Sequence, residues 1–427
     1  MATDTIHALS SGRPPAAIAI IRISGPRAMA AGHAIAGDLP APRVAARRRL
    51  RDADGAMLDD ALVICFPGPR TATGEDLVEL HLHGGRAVIA AVDRTLSAMT
   101  GLRPAEPGEF TRRALANGRI DLAQAEGLAD LLNAESEAAR RAALAMSEGA
   151  VSGAARTWLA EASSIAALVE AAIDFSDEGD VEDMPAEATM VARIHALSGE
   201  IDAMLRRPAI ERLGEGVRVV LSGPRNAGKS SLFNALIGRE AAIVSDIAGT
   251  TRDVIEAPVM RAGAPYLLID TAGLTDDTPD AIEAIGVDRA RRLANAADLL
   301  LWLGEESERP EGAIAVHARA RQAGRAPPAP EAIATDVDDS ASIEQLWREI
   351  AHRSAPLMTL HDIHFNQRQR SLLVDAAEHL VTAANEADLL LRAEMLRIAR
   401  RALAALLGID ATEAMLDALF ERFCIGK

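Results

Sequence analysis

Lysine is almost missing from this 427-residue chain: it stands only at positions 229 and 427, and arginine supplies the rest of the 45 basic residues. A compact ammonium and a planar guanidinium are not interchangeable where geometry is tight, so both surviving lysines are candidates for specific chemistry. Cysteine is nearly as scarce. Cys65 lies in an apolar run and Cys424 near the end, two residues that cannot form a disulfide framework and that fit a reducing cytoplasm. Aromatics make up only 3%, which favours aliphatic helices. Positive charge is in deficit, with 62 acidic residues against 45 basic and a net charge of -17, so the chain does not hold nucleic acid by charge alone. No apolar run approaches the ~18 residues of a membrane span, and the first residues lack the pattern of a signal peptide.

The 49% hydrophobic and 25% charged residues that remain are a globular composition, and the length suggests two to four domains. The first ~115 residues mix strand and helix periods as an α+β unit. Ala17 to Ile23, Leu62 to Phe66 and Val78 to His83 read as strands, and Gly84 and Gly85 open a helix to about Met99. The basic stretch Arg43, Arg47, Arg48, Arg49 and Arg51 reads as a solvated loop rather than an RNA site. From Asp121 the period becomes that of a helical bundle, with Trp158, Ile165, Val169 and Ala172 on one face. An acidic loop, Asp177 to Pro185, interrupts it, and the pattern returns at about Phe365, where Leu396, Ala399, Leu403 and Leu406 line one face.

Between the helical halves, strands and helices alternate as in a doubly wound α/β domain. Strands are expected at Val217 to Ser222, Ile255 to Met260, Tyr266 to Ile269, Leu299 to Leu303, Ala313 to Val316 and Glu331 to Ala334, with Gln322 to Pro330 a surface loop. The economical organisation is an α+β amino-terminal domain at 1–117 and a helical bundle split into 118–213 and 357–427. An α/β P-loop domain at 214–356 is then inserted into the bundle.

The strongest motif is Gly223-Pro-Arg-Asn-Ala-Gly-Lys-Ser230, a complete P-loop between a strand and the helix containing Leu232 to Leu236. Its glycines let backbone amides approach phosphates, Lys229 reaches the β and γ phosphates, and Ser230 can ligate magnesium. Two further pieces follow in the order a GTPase requires. In Gly249-Thr-Thr-Arg-Asp253, Thr251 can close on magnesium and the γ-phosphate. In Asp270-Thr271-Ala272-Gly273, Asp270 would hold magnesium through water and the Gly273 amide would sense the γ-phosphate. Leu274 stands where many GTPases place a water-orienting Gln, so catalysis needs another carboxylate or a bound cation.

Asn226 together with Asp246-Ile-Ala-Gly-Thr-Thr-Arg-Asp253 resembles the MnmE (TrmE) family of potassium-activated GTPases, of the TrmE-Era-EngA-YihA-Septin-like superfamily. The resemblance covers nearly the whole chain. It includes Asp4-Thr-Ile6, Ile20 to Pro26, Gly74-Glu-Asp76, His83-Gly-Gly85, Glu106 to Thr111, Arg119 to Glu126 and the ending Phe423-Cys-Ile-Gly-Lys427.

The resemblance implies nucleotide contacts from Asn226, Ala227, Gly228, Lys229, Ser230 and Ser231, from Ser245, Asp246, Ile247, Ala248, Gly249, Thr250 and Thr251, and from Asp270 to Gly273. It implies Mg2+ on Ser230 and Thr251, and K+ on Asn226, Ser245, Ile247 and Thr250 in place of an arginine finger. Glu283 matches the water-positioning carboxylate, with one extra residue separating it from Gly273. A 5-formyl- or methylene-tetrahydrofolate site carries over to Arg22, Glu79, Arg119 and Lys427, although many relatives carry Lys at position 119. The residues alone allow Arg22 and Glu79 to be a cross-strand ion pair. Cys424 is either a thiol of the modification site or a free exposed cysteine.

The implied protein is a cytoplasmic homodimer that hydrolyses GTP. With an MnmG-type FAD protein it would form a heterotetramer that adds a carboxymethylaminomethyl or aminomethyl group at C5 of the wobble uridine of certain tRNAs. Two other classes stay open: a ribosome-assembly or other switch GTPase without modification chemistry, and a folate-binding structural protein with a decayed nucleotide site. His81 and His83 share a strand face, but a third ligand is missing nearby, so they read as ordinary strand histidines. One departure is large. Guanine specificity normally needs Asn-Lys-x-Asp after the strand ending near Val316, and this chain aligns Ala318-Arg-Ala-Arg321 there, with Asp336-Val337 in place of the later Ser-Ala. Weaker, less guanine-selective binding is expected, unless Asp336 or Asp338 has taken over base readout.

Overall fold

The computed structural model describes residues 4–427 except 135, 175–186, 207–215, 225, 239–254, 263, 271–296, 323–326, 356–362, 410, 422, 424, 425 and 427. It forms two compact units, one of residues 1–132, 146–198 and 375–427, the other of residues 133–145 and 199–374. Among the described residues no helix is long and apolar enough to cross a membrane.

The amino-terminal sheet has six strands: β1 (Thr5–Leu9), β2 (Ile18–Ser24), β3 (Ala46–Arg51), β4 (Met57–Phe66), β5 (Leu77–His83) and β6 (Leu102–Pro104). Their spatial order is β3-β4-β5-β2-β1-β6, antiparallel except where β1 runs parallel to β6. Alternation decides which side is buried. Ala19, Ile21 and Ile23 of β2 share a core with Ala61, Val63 and Cys65 of β4 and with Val78, Leu80 and Leu82 of β5. Helices Ala28–Ala36 and Arg86–Ser97 add Ile35, Val92 and Leu96 to that core. The opposite side of the sheet carries Ile20, His81 and Leu62 in one cross-strand row and Arg22, Glu79 and Ile64 in the next.

The arginine run read as a loop is strand β3, which occupies the sheet edge and pairs with β4 from Ala46↔Val63 to Arg51↔Met57. Alternation explains the misreading: Leu50 alone is fully buried there while the arginines flank it, and a charged edge strand resists pairing with other chains.

In the same unit, helix Ala150–Asp174 packs along helix Leu389–Leu406, so the helical segments on either side of the inserted sequence do complete one bundle. Trp158, Ile165 and Val169 from the first helix and Leu396, Ala399, Leu403 and Leu406 from the second are all buried, as their spacing requires. The carboxyl-terminal helix Glu413–Phe420 contributes Leu419 and Phe420, with Phe423 beyond it, to a small core around Leu122, Ala125 and Ala129. The acidic loop expected at Asp177 to Pro185 lies outside the described residues.

In the second unit a mostly parallel sheet has the order β12-β11-β10-β7-β9-β8. Its strands are β7 (Val217–Ser222), β8 (Ile255–Arg261), β9 (Ala264–Asp270), β10 (Leu299–Trp302), β11 (Ile314–Ala318) and β12 (Ile333–Thr335), and only β8 is antiparallel to its neighbour. Val219, Leu221, Leu268, Leu301 and Val316 pack with Leu232, Phe233 and Leu236 of helix Lys229–Ile237 and with Leu346, Trp347 and Ile350 of helix Ser340–Ser354. Each fully buried side chain of this size contributes about 1.5–3 kcal/mol. The core therefore fixes the strand ends from which the site is built.

Candidate nucleotide and amino-terminal sites

β7 ends at Ser222, and the chain turns through Gly223 to Gly228 into helix Lys229–Ile237. Asn226 and Gly228 both have left-handed backbones, φ 61° and 98°, which turn the loop back over the helix N-terminus. Gly228 also has neighbours: an added Cβ would lie 3.4 Å from Arg319 Nε and 3.5 Å from the Ala318 side chain. The exposed Asn226 and Ser230 and the buried Lys229 are thus set at the opening of the first helical turn, where free amides and the helix dipole favour an anion.

The Lys229 ammonium donates to the carbonyls of Gly223 at 2.8 Å and Pro224 at 2.9 Å, which ties it across its own loop. Burial pushes its pKa below the ordinary lysine value, and the negative charge of Asp270 opposes that shift. Asp270 ends β9 directly beside β7, paired in register with Leu221, and is fully buried. The structure therefore brings Asn226, Ala227, Gly228, Lys229, Ser230, Ser231 and Asp270 to one end of the sheet, the carboxyl end where open α/β sheets bind ligands. Ser245 to Thr251, Thr271 to Gly273 and Glu283 lie outside the described residues.

In the amino-terminal domain, Arg22 and Glu79 face each other across β2 and β5, with the guanidinium donating to Glu79 Oε1 through Nε at 3.1 Å and Nη2 at 2.9 Å. The ring of Phe110 lies 5.8 Å below the Arg22 guanidinium, and His81 Nε2 lies 3.4 Å from Glu79 Oε2. His83 is bound instead to Asp59, through Nδ1 at 2.7 Å. Two residues along β2, Ser24 holds the loop before β5, bonding Thr73 Oγ1 at 2.7 Å and Glu75 at 2.9 Å. Arg119 donates to Thr71 O of that same loop at 3.1 Å and Asn117 to Thr73 O at 2.7 Å. The loop thus links Arg119 to the strand that carries Arg22.

Lys427 and Cys424 lie outside the described residues, but Gly426 between them is placed. Its carbonyl accepts from Ser10 Oγ at 2.8 Å, and an added Cβ would lie 2.1 Å from Leu9 O. Sequence reasoning singled out the tail but not Ser10, because a lone serine in a loop carries no signal of a partner far along the chain.

The model described as GTP-binding protein TrmE N-terminus matches residues 5–119, and the MnmE helical domain model matches residues 122–424. The tRNA modification GTPase MnmE of Erythrobacter litoralis is 53% identical over 426 residues, covering 99% of this chain and 100% of that protein. That of Novosphingobium aromaticivorans is 52% identical over 438 residues, covering 100% of both. The chain belongs to the MnmE family of tRNA modification GTPases. Among solved structures, the G domain of the T. maritima FeoB iron transporter is similar at 23% identity and a TM-score of 0.24, covering 32% of this chain and 98% of that one. The MnmE relatives match at full length, so the amino-terminal, helical and nucleotide segments of this chain are those of one protein type rather than a chance fusion.

Proposed function

We propose that this chain hydrolyses GTP to drive modification of C5 of the wobble uridine in certain tRNAs, acting as a homodimer with an MnmG-type FAD protein in a heterotetramer in the cytoplasm. The observation that carries the reading is full-length identity above 50% to relatives named for that activity. A domain organisation of 1–117, 118–213, 214–356 and 357–427 accompanies it.

The chain's residues divide the work by chemistry. P-loop amides hold the phosphates, and Lys229 moves from the Gly223 and Pro224 carbonyls to the β and γ oxygens. Ser230 and Asp270 fit magnesium as a hydroxyl ligand and a carboxylate that acts through water, with Thr251 completing the set; Mg2+ supplies neutralisation of phosphate charge. Asn226 offers an exposed carboxamide at the loop, which suits K+ together with Ser245, Ile247 and Thr250. Leu274 cannot orient water, so Glu283 takes that role. Asp246, Ala248, Gly249 and Thr271 to Gly273 are the remaining nucleotide contacts, and hydrolysis drives opening and closing of paired nucleotide domains.

The half-buried Arg22–Glu79 pair suits a folate, since a paired cation and carboxylate match a pterin's mixed donors and acceptors. Arg119 and Lys427 complete that pocket for 5-formyl- or methylene-tetrahydrofolate, and Cys424 sits in the tail held through Gly426. Mass analysis of tRNA nucleosides from a deletion strain, with and without the gene restored, tests the reading. Loss of the modified wobble uridine and its return are expected. Unchanged nucleosides would instead favour a switch GTPase without modification chemistry.

A further inference from the structure

At the carboxyl end of the nucleotide-domain sheet, the loops after β11 and β12 are bound to each other beside the P-loop. Ala318 ends β11 in register with Thr335 of β12, and the Ala320 amide donates to the Thr335 carbonyl at 3.0 Å. Arg319 takes a left-handed backbone, φ 58°, and its side chain lies against Gly228. Residues 318–321 therefore form the wall next to the phosphate loop, where a base attached to a bound triphosphate would be read.

Reading guanine's ring N–H and exocyclic amine needs two acceptor oxygens pointing at the base. Arg321 has none, because a guanidinium only donates. Of the three nearby carboxylates, Asp336 and Asp339 are engaged with the loop itself, and Asp338 is exposed. Asp336 accepts from the Arg321 amide at 3.2 Å through Oδ2 and from the Asp338 amide at 3.1 Å through Oδ1. Asp339 caps helix Ser340–Ser354 by accepting from the Ala341 amide at 3.1 Å, and its other oxygen accepts from Arg321 Nη2 at 2.8 Å. Asp336 is thus not a relocated base reader; it shapes the turn that presents Arg321. Ala318 likewise lacks the carboxamide that would brace this loop on the P-loop.

We infer that this chain's nucleotide site holds the triphosphate and reads the base weakly, with Ala318 and Arg321 as the specificity-determining residues. The inference rests on the hydrolase reading above and narrows its substrate recognition to phosphate chemistry. A site built to pair with a base's polar edge rejects an unmatched base by roughly 10⁴-fold, and the side chains of residues 318–321 offer no such pairing.

Titration of the full chain with GTP, XTP and ATP in Mg2+ tests it directly. Affinities within about tenfold of one another are expected. The double variant Ala318→Asn with Arg321→Asp should then favour GTP over the other two by more than that margin. A preference for GTP above tenfold in the unaltered chain overturns the inference and leaves the hydrolase reading standing. Failure to bind any of the three overturns both.

Discussion

Asn226 carries two roles that ordinary substitution would confuse. Its backbone is left-handed, φ 61°, which asparagine tolerates far better than alanine, and the residue is exposed. Replacing it by Ala adds about 1 kcal/mol of backbone strain as well as removing the carboxamide. Replacing it by Gly removes the carboxamide alone. If the carboxamide holds potassium, both variants should lose the faster hydrolysis expected in potassium over sodium while still binding nucleotide, since backbone amides keep the phosphates. Phosphate release in the two salts checks this. Retained potassium response in the Gly variant would assign Asn226 to loop geometry. Lys229 is the simpler case: Lys229→Ala should weaken triphosphate binding at least tenfold, and titration with GTP would read it. Its uniqueness in the nucleotide domain was legible from sequence, because arginine has replaced lysine everywhere except here and at the terminus.

The elements were legible to the degree that one face decided them. The nucleotide-domain strands lie within about two residues of where apolar runs placed them: β7, β9, β10 and β11 are buried inside the sheet, and the edge strands β8 and β12 still carry short apolar runs bounded by turns. Strand β3 was not legible, since an edge strand buries only Leu50 and otherwise looks like a basic loop. Nor did spacing show the ionic cluster that joins β6, helix Glu109–Ala116 and the residues before β1. Arg103 bonds Asp4 and Glu109, and the buried Arg113 bonds Asp4, Glu75 and Glu109; the Arg113–Glu109 pair is local, but the bonds to Asp4 exist only once segments about 100 residues apart have met. Burial pushes the carboxyls of Asp4 and Glu109 up, but their bonds to Arg103 and Arg113 outweigh it and hold both below the ordinary carboxylate range. A depressed folded-state pKa stabilises the fold above the unfolded value, near ~4, and that contribution is lost as pH falls through the folded values. Thermal melts from pH 6 to 3 should therefore show a drop below about pH 4. In Glu109→Gln the melt should start about 2 kcal/mol lower at neutral pH and fall less steeply on acidification. An equal acid slope in both proteins would remove the cluster from the account.

At the scale of the whole molecule, the amino-terminal sheet has one face packed by helices Ala28–Ala36 and Arg86–Ser97, and a second on which Phe110 of helix Glu109–Ala116 covers the part near β1 and Arg22. On the second face Ile18 is 60% exposed and Leu62 48%, close to the row that holds Arg22 and Glu79. An apolar pair of this kind on a sheet face beside a paired arginine and glutamate suits contact with a second copy, whose matching face would bury the aliphatic residues and enclose the ion pair. The alternative, a face left open to water, predicts a monomer. Leu62→Asp places a carboxylate in the centre of that surface without touching the core, because Leu62 points away from Ala61 and Val63 on the buried side. Light scattering of the full chain at micromolar concentration should show a dimer for the unaltered protein and a monomer for Leu62→Asp, with unchanged helical content by circular dichroism. Folate binding should weaken in the same variant if the pocket is completed by the contact. A dimer that survives Leu62→Asp would move the interface elsewhere on the chain, and a monomer in the unaltered protein would leave the Arg22–Glu79 pair as a structural cross-strand bridge.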